Sequence, residues 1–259
     1  MSPGGFLLLL TMMAVALARS SEAMAQDLAI AAASDLQTVF PAVVTQFEKS
    51  SGHHVQVTYG SSGNFVAQIQ NGAPFDLFFS ADIDYAKRLD STGLAEPGSL
   101  YEYAVGKIVL WTRKDSGIDV TRGLAVLRDD RVRKIAIANP QHAPYGRAAV
   151  AALKHDAVYE AIQNKIVLGE NISQTAQFVQ SGNADVGIIA LSLAMAPKAK
   201  EMGTYAEIPA GSYPPIAQAA VIVKASKNKT PARDFPAFMK RPETITLMQS
   251  FGFTMPPQP

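Results

Sequence analysis

The chain has 259 residues, of which 48% are hydrophobic and 17% are charged, and its formal net charge is +1. This balance is typical of a folded globular protein, and it excludes both a disordered chain and a strongly basic nucleic-acid binder. The length is sufficient for one large domain or for two lobes with separate hydrophobic cores.

The N-terminus has the features of a secretory signal peptide. A mostly apolar run spans residues 6–17, and the small-residue motif Ala23-Met24-Ala25 follows it. The run is shorter than the roughly 20 residues that cross a bilayer, which argues against a membrane anchor. The lack of Lys and Arg in residues 1–5 departs from the usual signal pattern. We expect residues 1–25 to be removed on export and, because the chain has no cysteine to accept a lipid, we expect a free periplasmic protein.

The first part of the mature chain alternates short apolar strands with helices. Residues 28–33 form a predicted strand, and the apolar positions from Leu36 to Phe47 recur at helical spacing. Pro41 falls inside this helical segment, where it removes a backbone hydrogen bond, so we expect a kink or a restart of the helix there. The same alternation continues with a strand, a helix, a strand and a helix, predicted at residues 54–59, 65–71, 75–80 and 82–93.

A second unit of the same kind follows a longer strand predicted at residues 101–112, which could leave the first sheet for another. Its predicted elements are three strands at residues 135–138, 166–168 and 186–190, with helices beginning near Tyr145 and Ile172. A strand at residues 217–223 and two final helices then return the chain to the first unit.

This order of elements predicts an α/β fold class. We expect two α/β lobes with mixed sheets, joined by a two-strand hinge, with the ligand cleft between them. The predicted first lobe consists of residues 26–105 plus 217–259, and the predicted second lobe consists of residues 106–216.

Four turns between a strand and a helix share an unusual composition. They are rich in small, hydroxyl and glycine residues, they contain no Lys or Arg, and they lie at residues 31–36, 59–64, 143–146 and 170–173. The start of a helix leaves backbone N–H groups without intrahelical acceptors and carries the positive end of the helix dipole. Both features favour an anion. The sequence therefore predicts that these turns surround one small oxyanion.

Four residues in these turns are the candidate anion ligands. Ser34 and Ser62 each offer a hydroxyl and a backbone N–H near a helix start, although helix capping alone would also explain a serine there. Tyr145 and Ile172 would each offer a backbone N–H, and the alternative for Tyr145 is an aromatic side chain that covers the core. A carboxylate beside a dianion is unfavourable unless it points away, so we expect Asp35 to serve the start of its helix.

No arrangement of residues indicates catalysis or a metal site. The histidines His53, His54, His142 and His155 do not have the spacing of metal ligands, and the sequence contains no G-x-S-x-G motif. His142 lies in the third turn, where it could contact the cleft rim or a partner. We therefore predict no enzyme, no catalytic residue, no metal and no cofactor.

The chain resembles the periplasmic molybdate-binding proteins of ABC importers, within the type II solute-binding proteins. The resemblance spans nearly the whole mature chain, and the segments that carry it are AAASDL (31–36), GSSGNF (60–65), QIQNGAPFDLFFSAD (68–82), NPQHAPYG (139–146), GENISQ (169–174), NADVGIIALS (183–192) and FGF (251–253). It implies two lobes that close on molybdate or tungstate by a hinge motion and then dock on a membrane permease.

The resemblance also assigns roles to the four candidate ligands. Ser34 and Ser62 are similar to the hydroxyl and N–H donors of the first lobe, and Tyr145 and Ile172 are similar to the second-lobe residues whose backbone N–H groups reach the anion. Some members have a tyrosine hydroxyl near the strand end that here reads Ile189-Ala190-Leu191, and Tyr145 stands where other members have a small residue. Either the anion has one donor fewer in this chain or another group replaces it.

Three other functions remain open at this point. The nearest is a receptor of the same architecture for another oxyanion, sulfate foremost, because sequence does not measure cavity size. The others are an enzyme acting on a small anionic substrate in the cleft and a secreted adhesion or sensory module. We expect a monomer that has no nucleic-acid partner.

Overall fold

The computed structural model describes residues 27–256, and the predicted signal peptide at residues 1–25 lies outside the described residues. The strands in the described range, numbered in chain order, are β1 (Leu28–Ala33), β2 (Val55–Gly60), β3 (Leu77–Ser80), β4 (Tyr101–Gly106), β5 (Ile108–Arg113), β6 (Ile135–Ala138), β7 (Ile166–Gly169), β8 (Val186–Ala190), β9 (Gly203–Glu207) and β10 (Ile216–Ile222).

The α-helices of the same range are α1 (Phe40–Ser51), α2 (Ser62–Gln70), α3 (Ile83–Ser91), α4 (Pro144–His155), α5 (Tyr159–Ile162), α6 (Ile172–Gln180), α7 (Leu191–Ala194), α8 (Pro197–Met202), α9 (Lys229–Met239) and α10 (Pro242–Ser250). Short 3₁₀ helices add to these at Ser34–Thr38, Lys114–Ser116, Val120–Arg128, Gln163–Lys165 and Ala210–Ser212. Between residues 27 and 256, none of the helices combines the length and the apolar character needed to cross a membrane.

The strands form two five-stranded mixed sheets. The first sheet has the order β2-β1-β3-β10-β4, with β1 parallel to β2 and β3, and with β10 antiparallel to its two neighbours. The second has the order β7-β6-β8-β5-β9, with β6 parallel to β7 and β8, and with β5 antiparallel to β8 and β9. The predicted fold class, two α/β lobes with mixed sheets, is confirmed. Below, the first lobe is the first sheet with its helices α1–α3, α9 and α10, and the second lobe is the second sheet with α4–α8.

The chain passes between the sheets at the end of β4. The single strand predicted at residues 101–112 is two strands, because Lys107 alone separates β4 in the first sheet from β5 in the second. A Cβ atom at Gly106 would overlap the Tyr145 hydroxyl, so a larger residue would not fit at this crossing. The return crossing lies between β9 of the second sheet and β10 of the first sheet.

The first lobe buries apolar side chains on both faces of its sheet. On one face, rings from α1, β3 and α9 pack edge to face, with Phe40 5.2 Å from Phe79 and Phe47 5.0 Å from Phe235 between ring centroids. The opposite face is covered by α2 and α3, with Phe65 against Phe78. Such coverage explains why β1 and β3 are continuous apolar runs rather than alternating ones.

The second lobe has its own core around Trp111, whose side chain is fully buried. The short strand β9 and the helices α7 and α8 were not predicted from the sequence. Their segments are short, so hydrophobic periodicity carries little signal there. β9 completes the edge of the second sheet beside β5.

Pro41 confirms the predicted interruption of the first helix. The chain leaves β1 in a 3₁₀ helix at Ser34–Thr38, and a new α-helix begins at Phe40 with Pro41 in its first turn. Proline is tolerated at that position because the first N–H groups of a helix have no intrahelical acceptor. The interruption lets Ser34 and Asp35 adopt a conformation separate from that of α1.

Candidate functional site

The carboxyl ends of β1, β2, β6 and β7 face one another across a small cavity between the lobes. Its volume is about 10 Å³, and its lining includes all four predicted ligands, Ser34, Ser62, Tyr145 and Ile172. All four residues are buried. Among the described residues, those that line this cavity include no Lys or Arg. The folded chain thus brings together the turns that the sequence analysis singled out.

Ser62 begins α2 with its hydroxyl held by the neighbouring turn. The Ala81 backbone N–H donates to Ser62 Oγ at 3.0 Å, and Ser62 is the first residue of the helix rather than its N-cap, which is Ser61. Because Oγ is used as an acceptor here, the hydroxyl hydrogen is available for another acceptor. Capping alone therefore does not explain this serine.

Ser34 follows β1 and has a similar arrangement. The Ser173 backbone N–H, from the second lobe, donates to Ser34 Oγ at 3.3 Å. The residue preceding the 3₁₀ helix, Ala33, makes no side-chain cap, and Ser34 itself is buried. Its hydroxyl hydrogen is again available to an acceptor in the cavity.

Ile172 is the first residue of α6, and its N–H is left free by the cap of that helix. The Asn171 side chain accepts from the N–H groups of Ser173 and Gln174 at 3.1 and 3.0 Å. Within the described part of the chain, no capping bond takes the N–H of Ile172. This group therefore suits an acceptor at the helix start.

Tyr145 lies in the first turn of α4, where the helix comes very close to the end of β6. A Cβ atom at Gly146 would overlap the Ala138 carbonyl, so glycine permits this close packing. The N-cap residue, Ala143, offers no side-chain oxygen, which leaves the first N–H groups of α4 uncapped by a side chain. The ring of Tyr145 is buried, and its hydroxyl enters a hydrogen-bond network with the first lobe.

The expectation that Asp35 serves the start of its helix is wrong. Its carboxylate is fully buried, where Oδ2 accepts from the Tyr145 hydroxyl at 2.8 Å and from Gln218 Nε2 at 2.7 Å. Burial raises the pKa of Asp35 to about 6, and the hydrogen bonds from Gln218 and Tyr145 oppose the rise. The carboxyl is therefore directed inward, where the side chains of Tyr145 and Gln218 donate to Oδ2.

Polar contacts between the lobes surround the cavity. The Gly63 N–H donates to the His142 carbonyl at 3.0 Å, and Ser61 Oγ lies 2.9 Å from His142 Nδ1. Further out, Asn64 Nδ2 donates to Glu170 Oε1 at 2.6 Å. His142 therefore lies at the cleft rim, one of the two positions expected for it, and the lobes are held in a closed arrangement.

A second interlobe contact lies beside the cavity. Arg147 of α4 pairs with Asp82, the N-cap residue of α3, and donates to the Tyr85 hydroxyl at 3.1 Å. The two charged side chains are 39% and 24% exposed. They border a larger cleft of about 310 Å³, which also includes Ala81 and Pro144 from the cavity wall. The positive charge is therefore near the site but does not line it.

Sequence reasoning missed the polar residues that support the cavity from behind. Gln218 accepts a hydrogen bond from the Tyr103 hydroxyl at 2.7 Å while donating to Asp35, and Ser192 Oγ donates to the Asp35 carbonyl at 2.8 Å. The sequence did hold one signal, because Gln218 is the polar residue within the otherwise apolar strand IAQAAVI. A buried polar group of this kind requires a partner.

The chain is similar to bacterial solute-binding proteins over nearly its whole described length. Residues 28–254 match the family described as "Bacterial extracellular solute-binding protein". The molybdate-binding protein ModA of Azotobacter vinelandii is 37% identical over 231 residues, which cover 89% of this chain and 91% of the relative. The protein of the same name from Rhodobacter capsulatus is 40% identical over 207 residues, 80% of each chain.

A solved structure shows the same likeness in three dimensions. The periplasmic molybdate-binding protein of Azotobacter vinelandii superimposes with a TM-score of 0.84 at 38% sequence identity. The superposition covers 89% of this chain and 100% of that chain. The two lobes and their cleft are therefore shared with a protein of that name.

Proposed function

Because the chain belongs to the bacterial extracellular solute-binding protein family, we propose that it is a receptor that binds molybdate, and also tungstate, and delivers it to the permease of an ABC importer. The observation that carries this proposal is the convergence of Ser34, Ser62, Tyr145 and Ile172 on one cavity between the lobes. Two of these residues offer hydroxyl hydrogens and all four lie at or beside helix starts. Such groups suit a small oxyanion. The molybdate-binding names of its relatives support the choice of ion.

Neutral donors are sufficient to hold such an anion. Hydrogen bonds to a charged group contribute about 1.5–3 kcal/mol each, so five or six contribute roughly 8–18 kcal/mol before costs. Micromolar affinity needs about 8 kcal/mol. A buried Lys or Arg would be left unpaired when the anion departs, which is costly. A site without cations therefore suits a protein that must release its ligand.

The anion must enter through a movement of the lobes. A cavity of about 10 Å³ holds at most about one water molecule. A tetrahedral oxyanion is larger, so the lobes separate to admit it and, once it is bound, remain farther apart than in this structure. We propose that the moving bodies are residues 26–105 plus 217–259 and residues 106–216, with the hinge at the two crossings beside Lys107 and before Ile216.

The proposed cellular setting follows from the function. The receptor acts in the periplasm as a monomer, after cleavage of a signal peptide at residues 1–25, and it docks on a membrane permease. It performs no catalysis, and it needs no cofactor or metal other than the molybdenum of its ligand. The apolar run and the Ala23-Met24-Ala25 motif support the export step.

Replacement of one serine tests the proposed site. Ser62→Ala removes a hydroxyl donor and is expected to weaken molybdate binding by more than about tenfold, since a hydrogen bond to a charged group is lost. Isothermal titration calorimetry measures the change. Ser212→Ala is the matched control, because Ser212 is also buried but donates to the Pro209 carbonyl away from the cavity. Equal molybdate affinity in the Ser62 variant and the unaltered protein would contradict the assignment.

The identity of the ion is tested by a thermal-shift panel. A ligand at about 100 times its Kd stabilises the folded state by about 2.7 kcal/mol, which raises the melting temperature. Molybdate and tungstate are expected to stabilise the protein, while sulfate and phosphate at equal concentration are not. Stabilisation by sulfate alone would replace the proposed ligand with sulfate and keep the receptor role.

A further inference from the structure

We propose that Asp35 is a positioning residue of the anion site, whose carboxyl links the two lobes through Tyr145 and takes up one proton from solvent when the dianion enters the cavity. The proposal rests on the proposed function, because it requires a doubly charged ligand at this cavity. It assigns a role to a buried acid that the donor set described above does not use.

The geometry ties Asp35 to both lobes. Its Oδ2 accepts from the Tyr145 hydroxyl, on α4 of the second lobe, and from Gln218 Nε2, on β10 of the first lobe. Gln218 Nε2 also donates to the Tyr145 oxygen at 2.9 Å. Tyr103 fixes the orientation of Gln218 by donating to its Oε1. Opening of the lobes would break the Tyr145 bond, so closure and the surroundings of this carboxyl are coupled.

The two carboxylate oxygens of Asp35 differ in their surroundings. Oδ1 is buried and has no hydrogen-bond partner among residues 27–256, whereas Oδ2 has two side-chain donors. A proton therefore binds at Oδ1, and the neutral acid keeps both bonds at Oδ2. Protonation at Oδ1 therefore removes the charge without breaking the hydrogen bond between Asp35 and Tyr145.

No basic group compensates the charge of Asp35 within the described residues that surround it. The ionisable groups that face it are the phenols of Tyr145 from α4 and Tyr103 from β4, and burial raises the pKa of both well above the usual value, so both stay neutral. The packed helices α6 and α7 have the sequences ISQTAQFVQ and LSLA, without an ionisable side chain. The only charged residues of α1 are Glu48 and Lys49, in its last turns, and the nearby strand β2 contributes Tyr59, whose pKa burial raises to about 12.

A dianion in the cavity would lie close to this buried charge, because Asp35 is among the residues that line the cavity. Burial already raises the pKa of Asp35 to about 6, and the added negative charge of the ligand raises it further. Binding therefore draws a proton onto the carboxyl over the pH range between these two pKa values. By linkage, molybdate binds more tightly as the pH falls through that range.

Calorimetry of the intact receptor with sodium molybdate tests the proposal. Titrations at pH 7 in two buffers with different ionisation enthalpies give the number of protons taken up per anion bound. The unaltered protein is expected to take up a substantial fraction of one proton, and its Kd is expected to rise by about fivefold to tenfold per pH unit between pH 6.5 and 8. Asp35→Asn keeps an oxygen that accepts from Tyr145 and Gln218. This variant should take up no proton, and its Kd should change by less than about twofold per pH unit over the same range.

A second variant separates the role of Asp35 from that of the histidine at the cleft rim. His142→Gln removes the imidazole at the rim and should leave the proton uptake in place. Uptake that disappears in this variant, or that persists unchanged in Asp35→Asn, would overturn the proposal. A binding heat of the unaltered protein that does not depend on the buffer would overturn it without any variant. If neither the unaltered protein nor its variants bound molybdate, this result would contradict the proposed receptor function itself, and not only the role of Asp35.

Discussion

At the scale of single residues, Ser34 and Ser62 show what local sequence could and could not decide. Their positions after apolar strands predicted a place at the cleft, and the structure puts both beside the cavity. Their hydrogen-bond partners, Ser173 and Ala81, are distant in sequence. Only the identity of these partners shows whether a serine hydroxyl is free to donate to a ligand or instead caps a helix. The same limit explains the wrong expectation for Asp35, whose partner Tyr145 belongs to the other lobe.

Asp35 also gives a prediction for the stability of the protein without ligand. Its pKa is about 6 in the folded state against an ordinary value of 3.8, so the folded state binds the proton more tightly. The buried charge therefore destabilises the protein above pH 6, and this cost, about 3 kcal/mol, disappears as the pH falls towards 3.8. Asp35→Asn has no such charge and should gain stability relative to the unaltered protein at high pH.

Urea unfolding of both proteins between pH 4 and 8 provides the measurement. The free-energy difference between Asp35→Asn and the unaltered protein cancels the contribution of surface acids such as Asp129, whose pKa is lowered by Arg131 and which act with the opposite sign. The variant should have the larger free energy of unfolding at pH 8, and this advantage over the unaltered protein should decrease as the pH falls to 4. Two parallel profiles would show that the buried carboxyl does not control stability.

At the scale of helices and strands, the sequence predicted most elements of the two units. The apolar runs at β1, β6 and β8 were placed within a residue of their ends, because buried parallel strands carry a strong local pattern. The division between β4 and β5 was missed, since apolar residues stand on both sides of Gly106 and Lys107. At the break the Tyr145 hydroxyl lies close to Gly106, a contact that local periodicity does not encode.

The contact between α3 and α4 predicts a contribution to lobe closure. Arg147→Gln removes the ion pair with Asp82 across the lobes, and it is expected to raise the molybdate Kd by about twofold to fivefold, because partly exposed pairs contribute up to about 1 kcal/mol. Calorimetry measures the change. Arg88→Gln is the matched control, since Arg88 also lies over the Tyr85 ring but belongs to the first lobe. Equal effects of the two substitutions would argue against a role of Arg147 in closure.

At the scale of the whole molecule, the family predicted from the ordered motifs is confirmed by the match over residues 28–254. The motifs were informative because each combines a strand end with a helix start, and the alternation of elements fixes which ends meet. The contacts between the lobes could not be predicted in the same way. Pairs such as Asn64 with Glu170 depend on the angle at which two separately folded sheets face each other.

Those contacts allow a direct test of closure around the anion. The chain contains no cysteine, so the double variant Asn64→Cys/Glu170→Cys introduces the only two thiols, one on each lobe. Molybdate should accelerate cross-linking by a short bifunctional maleimide by at least about threefold, because the ligand shifts the population towards the closed arrangement. Asp27→Cys/Gln56→Cys is the control pair, since these side chains also contact each other, at 2.7 Å, but lie within the first lobe. The control rate should not respond to molybdate. A response shared by both pairs would point to an effect on thiol reactivity, and no response in either pair would show that the anion does not close the lobes.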